Sequence, residues 1–367
     1  MRIDQKNIKG KPLLTNNGLR DTEWLRHTKA GVNWLRKSIE ATGGRGSAHS
    51  WHPLLGWSKS YPETTGYIIP TLLDYAVLHQ DDTLKILANG CANWLTTIQL
   101  PSGAFPGLLL GNKAPSIFNT SQILFGLCRV SLADESNLPV KEALVRAASW
   151  LVSMLEPDYS WKRHAFVPGY TPSYYTRAIW GLLYANNILQ DPDLQENMHK
   201  ALWYYAQRFL MDAQMNDWGF RPGEPAFTHT IAYTLEGFLE CALIFEDADI
   251  LTKVIAIADQ LIAVRLAVGG RTAGRYGQAW KGDYSFVCNA GNAQLCVFFR
   301  RLYEVTGAEK YQILSHDFLK EVMVTQKLNG NRNRIGAISG STPIWGAYLP
   351  FRYPNWGLKF FLDAMNS

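Results

Sequence analysis

The sequence predicts an all-α protein, an (α/α)6 toroid built from six helical hairpins, and three observations lead to it. The first is recurrence: six times an apolar helical run yields to a Gly-rich corner, and a polar triplet then opens a second apolar run. Trp34-Leu35, Trp94-Leu95 and Trp150-Leu151 sit in three of the first runs, and Tyr205, Leu261 and Phe318-Leu319 mark weaker versions in the others. Thr65 to Thr120 is 55 residues and Thr120 to Thr176 is 56, a period that belongs to repeat architectures. The second is alternation. First runs are amphipathic and second runs apolar on most sides, as expected of a half-buried outer layer around a buried inner one. The third is the apolar final repeat, Trp356-Gly357-Leu358-Lys359-Phe360-Phe361-Leu362. An open solenoid would end in polar capping repeats, so the ring is expected to close.

Residues 1–21 are polar and read as an extended lead-in, with residues 22–367 as one toroidal domain. The first outer helix follows Val32, Leu35 and Ile39 at helical spacing and stops at Gly43-Gly44-Arg45-Gly46. A long corner over 47–62 holds Trp51, His52, Trp57 and Tyr61. The first inner helix begins near Thr65, with Pro70 in its early turns. Further outer helices are expected over about 84–98, 140–155, 193–211, 249–266 and 308–327. Inner helices are expected over about 120–133, 175–189, 230–246, 289–306 and 355–365. Period-2 stretches are few and short, and no Ser/Pro-rich linker interrupts the chain.

Composition narrows the function classes. With 47% hydrophobic and 18% charged residues, the 367-residue chain carries a large core. Thirteen Trp and 17 Tyr supply apolar bodies with polar handles, suited to helix packing and to sugar rings. A net charge of +5 without a basic run does not point to nucleic acid, but is compatible with an acidic ligand. No apolar stretch is long enough for a membrane span, and the amino terminus lacks the apolar region of a signal peptide. Five widely spaced Cys without a Cys-x-x-Cys pair read as free buried thiols. The expectation is a cytoplasmic protein with no cofactor and no metal.

The corners Gln99-x-x-Ser102-Gly103-Ala104-Phe105 and Asp217-Trp218-Gly219-Phe220 resemble the corner motif of the squalene cyclase and prenyltransferase repeat. Six segments look like those of toroidal proteins of bacterial polysaccharide gene clusters. They are Ser60-Tyr61-Pro62-Glu63-Thr64-Thr65-Gly66-Tyr67, Phe118-Asn119-Thr120-Ser121-Gln122, Tyr175-Thr176-Arg177, Thr228-His229-Thr230-Ile231-Ala232-Tyr233, Gly291-Asn292-Ala293-Gln294, and Pro343-Ile344-Trp345-Gly346 with Tyr353-Pro354-Asn355-Trp356. The resemblance implies the toroid and a glycan context. The fold is also similar to that of unsaturated glucuronyl hydrolases, uronate lyases, uronyl epimerases and terpenoid cyclases, and a fold so widely used does not give function. The Asp-rich motif of terpenoid cyclases and the zinc ligands of protein prenyltransferases have no counterpart here.

Parallel inner helices gather their N-termini, with orphan N–H groups and positive dipole ends, at one mouth, which favours an anionic ligand. Thr65, Thr120 and Thr230 suit helix N-caps. Glu63, Arg177, His229 and Tyr233 stand out beside them, and His229 and Tyr233, four apart, share a helical face. These types fit proton abstraction next to a uronate carboxylate. Arg neutralises the carboxylate, His or Tyr removes the proton, and a second Tyr protonates the leaving oxygen or the opposite face. The expected catalytic set is therefore Glu63, Arg177, His229 and Tyr233, in a lyase or epimerase acting on an acidic oligosaccharide. Trp57, Tyr61, Asn119, Tyr175, Trp218, Trp280, Asn292 and Trp345 are the candidates for holding the sugar. One alternative is a glycoside hydrolase pairing Glu63 with Asp217, Glu224 or Asp283, because hydrolysis needs two carboxyls flanking the bond. The other is a non-catalytic glycan-binding toroid.

Overall fold

The computed structural model describes residues 18–211 and 214–366. Residues 1–17 of the expected lead-in lie outside the described residues, and the first helix already begins at Gly18. Twelve α-helices follow one another among the described residues. They are α1 Gly18–Glu40, α2 Pro62–His79, α3 Asp82–Ile98, α4 Ile117–Ala133, α5 Leu138–Ser153 and α6 Thr176–Leu189, then α7 Pro192–Phe209, α8 Thr228–Phe245, α9 Ala248–Ala267, α10 Asn289–Thr306, α11 Glu309–Met323 and α12 Asn355–Asn366. Prolines at the first helical positions, Pro62, Pro139 and Pro192, start α2, α5 and α7 one to three residues earlier than periodicity indicates.

The even-numbered helices form the inner ring. Each packs on the next, from α2 to α4 and onward to α12, and α12 packs back on α2, so the ring closes. Close approach depends on glycine. A Cβ at Gly126 would lie 2.2 Å from the Gly66 carbonyl oxygen, and one at Gly237 would lie 2.6 Å from the Thr176 carbonyl carbon. Alanine at either position would push two inner helices apart.

The tight hairpins differ in phase from the sequence repeat. The sequence groups each outer helix with the inner helix after it, across a long corner. In space each inner helix packs on the outer helix that follows, α2 on α3, α4 on α5, α10 on α11, because only a few residues join them. The sixth pair is therefore α12 with α1. Trp34 donates its indole N–H to Asn355 Oδ1 at 2.9 Å across 321 residues of sequence, and His27 meets Gln326 at 2.6 Å across 299.

The long corners all lie at the inner helices' N-terminal end, and four of them are stitched together by strands of two or three residues. These are β1 Ser50–His52, β2 Gly56–Trp57, β3 Ala226–Phe227, β4 Arg275–Tyr276, β5 Gly282–Asp283, β6 Val287–Cys288, β7 Ser341–Thr342 and β8 Tyr353–Pro354. β1 is antiparallel to both β2 and β8, β4 lies between β3 and β5, and β6 pairs with β7. The five cysteines are buried and unpaired. No helix among the described residues is long and apolar enough to cross a membrane.

The threonines of the polar triplets do not act as N-caps. The residue flanking α2 is Tyr61, without a side-chain cap, and α4 is capped by Ser116. Thr65 instead donates to the Tyr61 carbonyl at 2.8 Å and accepts the Ser47 N–H at 2.9 Å. Thr120 repeats this with the Ser116 carbonyl at 2.7 Å and the Phe105 N–H at 2.9 Å. Thr230 donates to the Phe227 carbonyl. A first-turn side chain points back toward the incoming backbone, so these hydroxyls reach the turn before the helix, and Thr65 and Thr120 also clamp the corner to it.

Candidate active site

The N-terminal turns of α2, α4, α8 and α12, with the 3-10 turn Ser173–Tyr175 ahead of α6, surround a cavity of about 620 Å³. That volume suits a small ligand. Its wall includes Leu108, His164 and Leu349, non-glycine residues held at φ 59°, 56° and 53°. Left-handed backbone is unfavourable for such side chains, and strain of this kind gathers at functional sites.

Glu63 is the acid set deep in this cavity, buried in the first turn of α2. Tyr61 donates to its Oε2 at 2.5 Å and Tyr67 to its Oε1 at 3.5 Å, while Tyr233 in turn donates to the Tyr67 hydroxyl at 3.4 Å. Burial pushes the Glu63 carboxyl up to about 7, overriding the Tyr61 hydrogen bond, the Arg177 charge and the Tyr67 contact, which all favour the carboxylate. Burial also raises the phenols of Tyr61, Tyr67 and Tyr233 well above their ordinary range, with the neighbouring Glu63 adding to each. All three are therefore hydrogen-bond donors rather than bases at neutral pH.

His229 lines the cavity next to Tyr233, their ring centroids 4.3 Å apart. Its Nδ1 meets Gln294 Oε1 in a short contact. The Gln294 amide nitrogen points at Glu236 Oε2, 3.5 Å away, which orients the carbonyl toward His229. An amide oxygen only accepts, so His229 Nδ1 carries the proton and Nε2 keeps its lone pair. Burial pulls this imidazole down to about 3; the Gln294 hydrogen bond opposes that and the Arg177 charge reinforces it. A second cavity histidine, His49, is lowered to about 4 by burial and by Arg352.

Arg177 lies below the cavity rather than on its wall. Its Nη1 is 2.5 Å from Glu236 Oε2, its Nε donates to Gln122 Oε1 at 2.9 Å, and its guanidinium sits 4.6 Å from the Tyr233 ring centroid. With both partners buried, Arg177 is committed to the protein and cannot also pair with a ligand carboxylate at the wall. Arg221, which does line the cavity, makes no ion pair or side-chain hydrogen bond among the described residues.

Of the other candidates, Tyr61 and Asn119 line the cavity, Asn119 while holding the Pro106 carbonyl at 3.1 Å. The rest lie elsewhere. Trp57 packs at a tilt against Trp34, and Tyr175 is buried with its hydroxyl accepting the Phe166 N–H. Trp218 is core, Trp280 packs on Tyr276, and Asn292 donates to Glu321. Trp345 is 67% exposed, outside the cavity. Among the acids, Glu224 is on the exposed rim, Asp217 binds Arg208 in a left-handed turn, and Asp283 is held by Arg275 and Ser285.

Residues that the sequence reading passed over complete the site: Tyr67, Gln122, Glu236 and Gln294 from four inner helices, and His49 and Trp356 on the wall. Glu236 carried a signal, as one of two carboxylates, with Glu240, in a largely apolar inner helix. Gln122 and Gln294 stood in the segments that carry the family resemblance, but without an assigned role. No cluster of three or more His, Cys, Asp or Glu suited to a metal ion occurs among the described residues.

No family model matches the chain. No curated protein matches it by sequence. Solved structures are similar to it over nearly its whole length. An unsaturated glucuronyl hydrolase specific for heparin aligns with a TM-score of 0.72 at 14% identity, over 94% of this chain and 96% of its own. The glycosaminoglycan-degrading unsaturated glucuronyl hydrolase of Bacillus sp. GL1 gives 0.72 at 12% identity, over 93% and 96%. The cellobiose 2-epimerase of Spirochaeta thermophila gives 0.69 at 12% identity, over 95% and 98%. The likeness is one of fold, and it bears out the (α/α)6 toroid.

Proposed function

We propose that the protein is a carbohydrate-active enzyme that removes the proton beside the carboxylate of a uronic-acid-type sugar. The observation that carries this reading is His229, neutral, with Nδ1–H fixed by the Gln294–Glu236 pair and Nε2 free to take a proton. Glu63, in the same cavity with its carboxyl raised to about 7, is the matching acid. An anionic sugar entering between them raises the proton affinity of both groups. That makes His229 a better base and keeps Glu63 protonated. Arg221 and the inner-helix N-termini supply the positive field that stabilises the developing enediolate. In the step, His229 Nε2 takes the proton and the electron pair moves onto the carboxylate. Glu63, or Tyr61 hydrogen-bonded to it, then returns a proton. Return to the opposite face of the carbon gives epimerisation, and delivery to the departing glycosidic oxygen gives elimination.

The heparin-specific glucuronyl hydrolase among the structural neighbours makes uronate oligosaccharides the first substrates to test. Incubation in D2O followed by NMR should give deuterium at the carbon next to the carboxylate, or an unsaturated product, lost in His229→Ala and in Glu63→Gln. A second reading, hydrolysis by Glu63 with Glu224 on the rim, predicts new reducing ends without unsaturation or deuterium, lost in Glu63→Gln and Glu224→Gln. Sugar binding with neither exchange nor cleavage would leave a non-catalytic glycan-binding toroid.

A further inference from the structure

The corners at the mouth end carry more than the cavity. Leu54 and Leu55 are 89% and 74% exposed at the tip of the β1–β2 turn, and Trp345, Leu108 and Phe351 are also exposed. These five belong to neighbouring segments: β1 pairs with β8, which follows Phe351, and the Leu110 N–H donates to the Ser60 carbonyl. They are held outward by defined backbone. His52 Nδ1 accepts the N–H groups of both Leu54 and Leu55, at 3.2 and 3.3 Å. Phe351 sits at φ 57° with its N–H on the Ile344 carbonyl. Isolated exposed apolar residues are ordinary on a protein surface, but a group at turn tips on one face marks an interaction surface.

Charge identifies the partner. The six corners (41–61, 99–116, 154–175, 210–227, 268–288 and 324–354) hold thirteen Lys and Arg against six Asp and Glu, a net +7 in a chain whose total is +5. The three that carry the apolar group, 41–61, 99–116 and 324–354, contain seven Lys or Arg and no acid at all. Apolar side chains that include a Trp, on corners that carry cations and no anion, match the interface of an anionic bilayer. We infer that this side of the mouth docks peripherally on an anionic lipid surface through Leu54, Leu55, Leu108, Trp345 and Phe351. An acidic glycan would account for the cations but not for paired leucines at a turn tip.

Co-sedimentation of the full chain with vesicles tests this. At low salt the protein should sediment with phosphatidylcholine vesicles containing about a third phosphatidylglycerol, and not with phosphatidylcholine alone. Salt at about 0.5 M should release most of it. Leu54→Ser/Leu55→Ser should weaken sedimentation about tenfold or more, with an unchanged circular dichroism melt showing that it folds. Lys59→Gln/Lys113→Gln, exposed cations on the two segments that the Leu110–Ser60 hydrogen bond joins, should weaken it too and serves as the second variant. Three outcomes overturn the inference. The first is no sedimentation with anionic vesicles. The second is a leucine variant that folds and sediments like the wild type. The third is light scattering that finds a dimer which the leucine variant converts to monomer, so that a second copy covers this face.

Discussion

Two layers of polar side chains cross the axis of the ring, and Glu63 and His229 of one are as deeply buried as Arg177 and Glu236 of the other. In the lower layer Arg177, Glu236, Gln122 and Gln294 satisfy one another, and Lys359 pairs with Asp363 at 2.5 Å. In the upper layer Glu63, His229 and His49 face the cavity, and burial has moved each of them toward its neutral form; burial also raises the lower-layer Glu236 carboxyl to about 7, against the Arg177 charge. The layers differ in who supplies the partners, not in what burial does to a carboxyl. Where the protein supplies every partner, charges fix the geometry. Where it leaves part of the shell to a ligand, the same desolvation tunes an acid and a base.

The largest effect should come from unbalancing the lower layer. Arg177→Ala strands the Glu236 carboxylate and should cost about 3–5 kcal/mol in urea unfolding. Arg177→Met with Glu236→Met should recover most of it. A single substitution as mild as a surface change would mean that the layer is not the scaffold described here.

Glu63→Gln should act in the opposite sense. The carboxyl titrates at 4.5 without burial and at about 7 in the folded protein. The folded state holds the proton more tightly, so this group's contribution is full below 4.5 and is lost as pH rises through about 7. The variant should therefore be more stable than the wild type at pH 8, by an amount on the order of 3 kcal/mol, and should lose turnover. His229 runs the other way, from 6.5 to about 3. Its contribution is present above 6.5 and lost as pH falls through 3. Because the buried histidines change stability in the opposite direction over the same range, the check is the difference between wild type and Glu63→Gln. A difference that does not decline between pH 4.5 and 7 would contradict the burial argument for Glu63.

Gln294→Leu removes the acceptor that selects the His229 tautomer. Turnover should fall roughly tenfold to a hundredfold with KM little changed, whereas equal loss in both would point to a packing defect. The smallest effect should come from the corner clamp. Thr65→Ala gives up two hydrogen bonds to backbone and should cost about 1 kcal/mol in thermal unfolding, and Thr120→Ala the same amount if the two positions are equivalent.

The sequence carried the ring far better than the site. Apolar periodicity is local, and it located α10 residue for residue and α12 to within one. It overran α11, expected to 327 but ending at Met323, because Gln326 leaves the helix to reach His27. Glu63, His229 and Tyr233 were readable because polar residues at buried helix starts are conspicuous. The pairing of Arg177 with Glu236 was not, since it joins residues 59 apart through the ring's register. The corner tryptophans failed as sugar platforms for a related reason. Trp57 and Trp218 lie on corners, yet one packs against Trp34 and the other is core, so an aromatic in a loop segment was not thereby at the mouth.

The pairing of α1 with α12 also bears on how the molecule comes apart and together. A linear solenoid frays from its terminal repeats, because each has only one neighbour. Here every inner helix has two, so amide exchange in the six inner helices should report one cooperative opening rather than a gradient along the chain. The same contacts, linking residues about 300 apart, make closure the step of greatest loop entropy. Assembly of the ring should be slow compared with the growth of its helices, with the cavity forming only once the circle is shut.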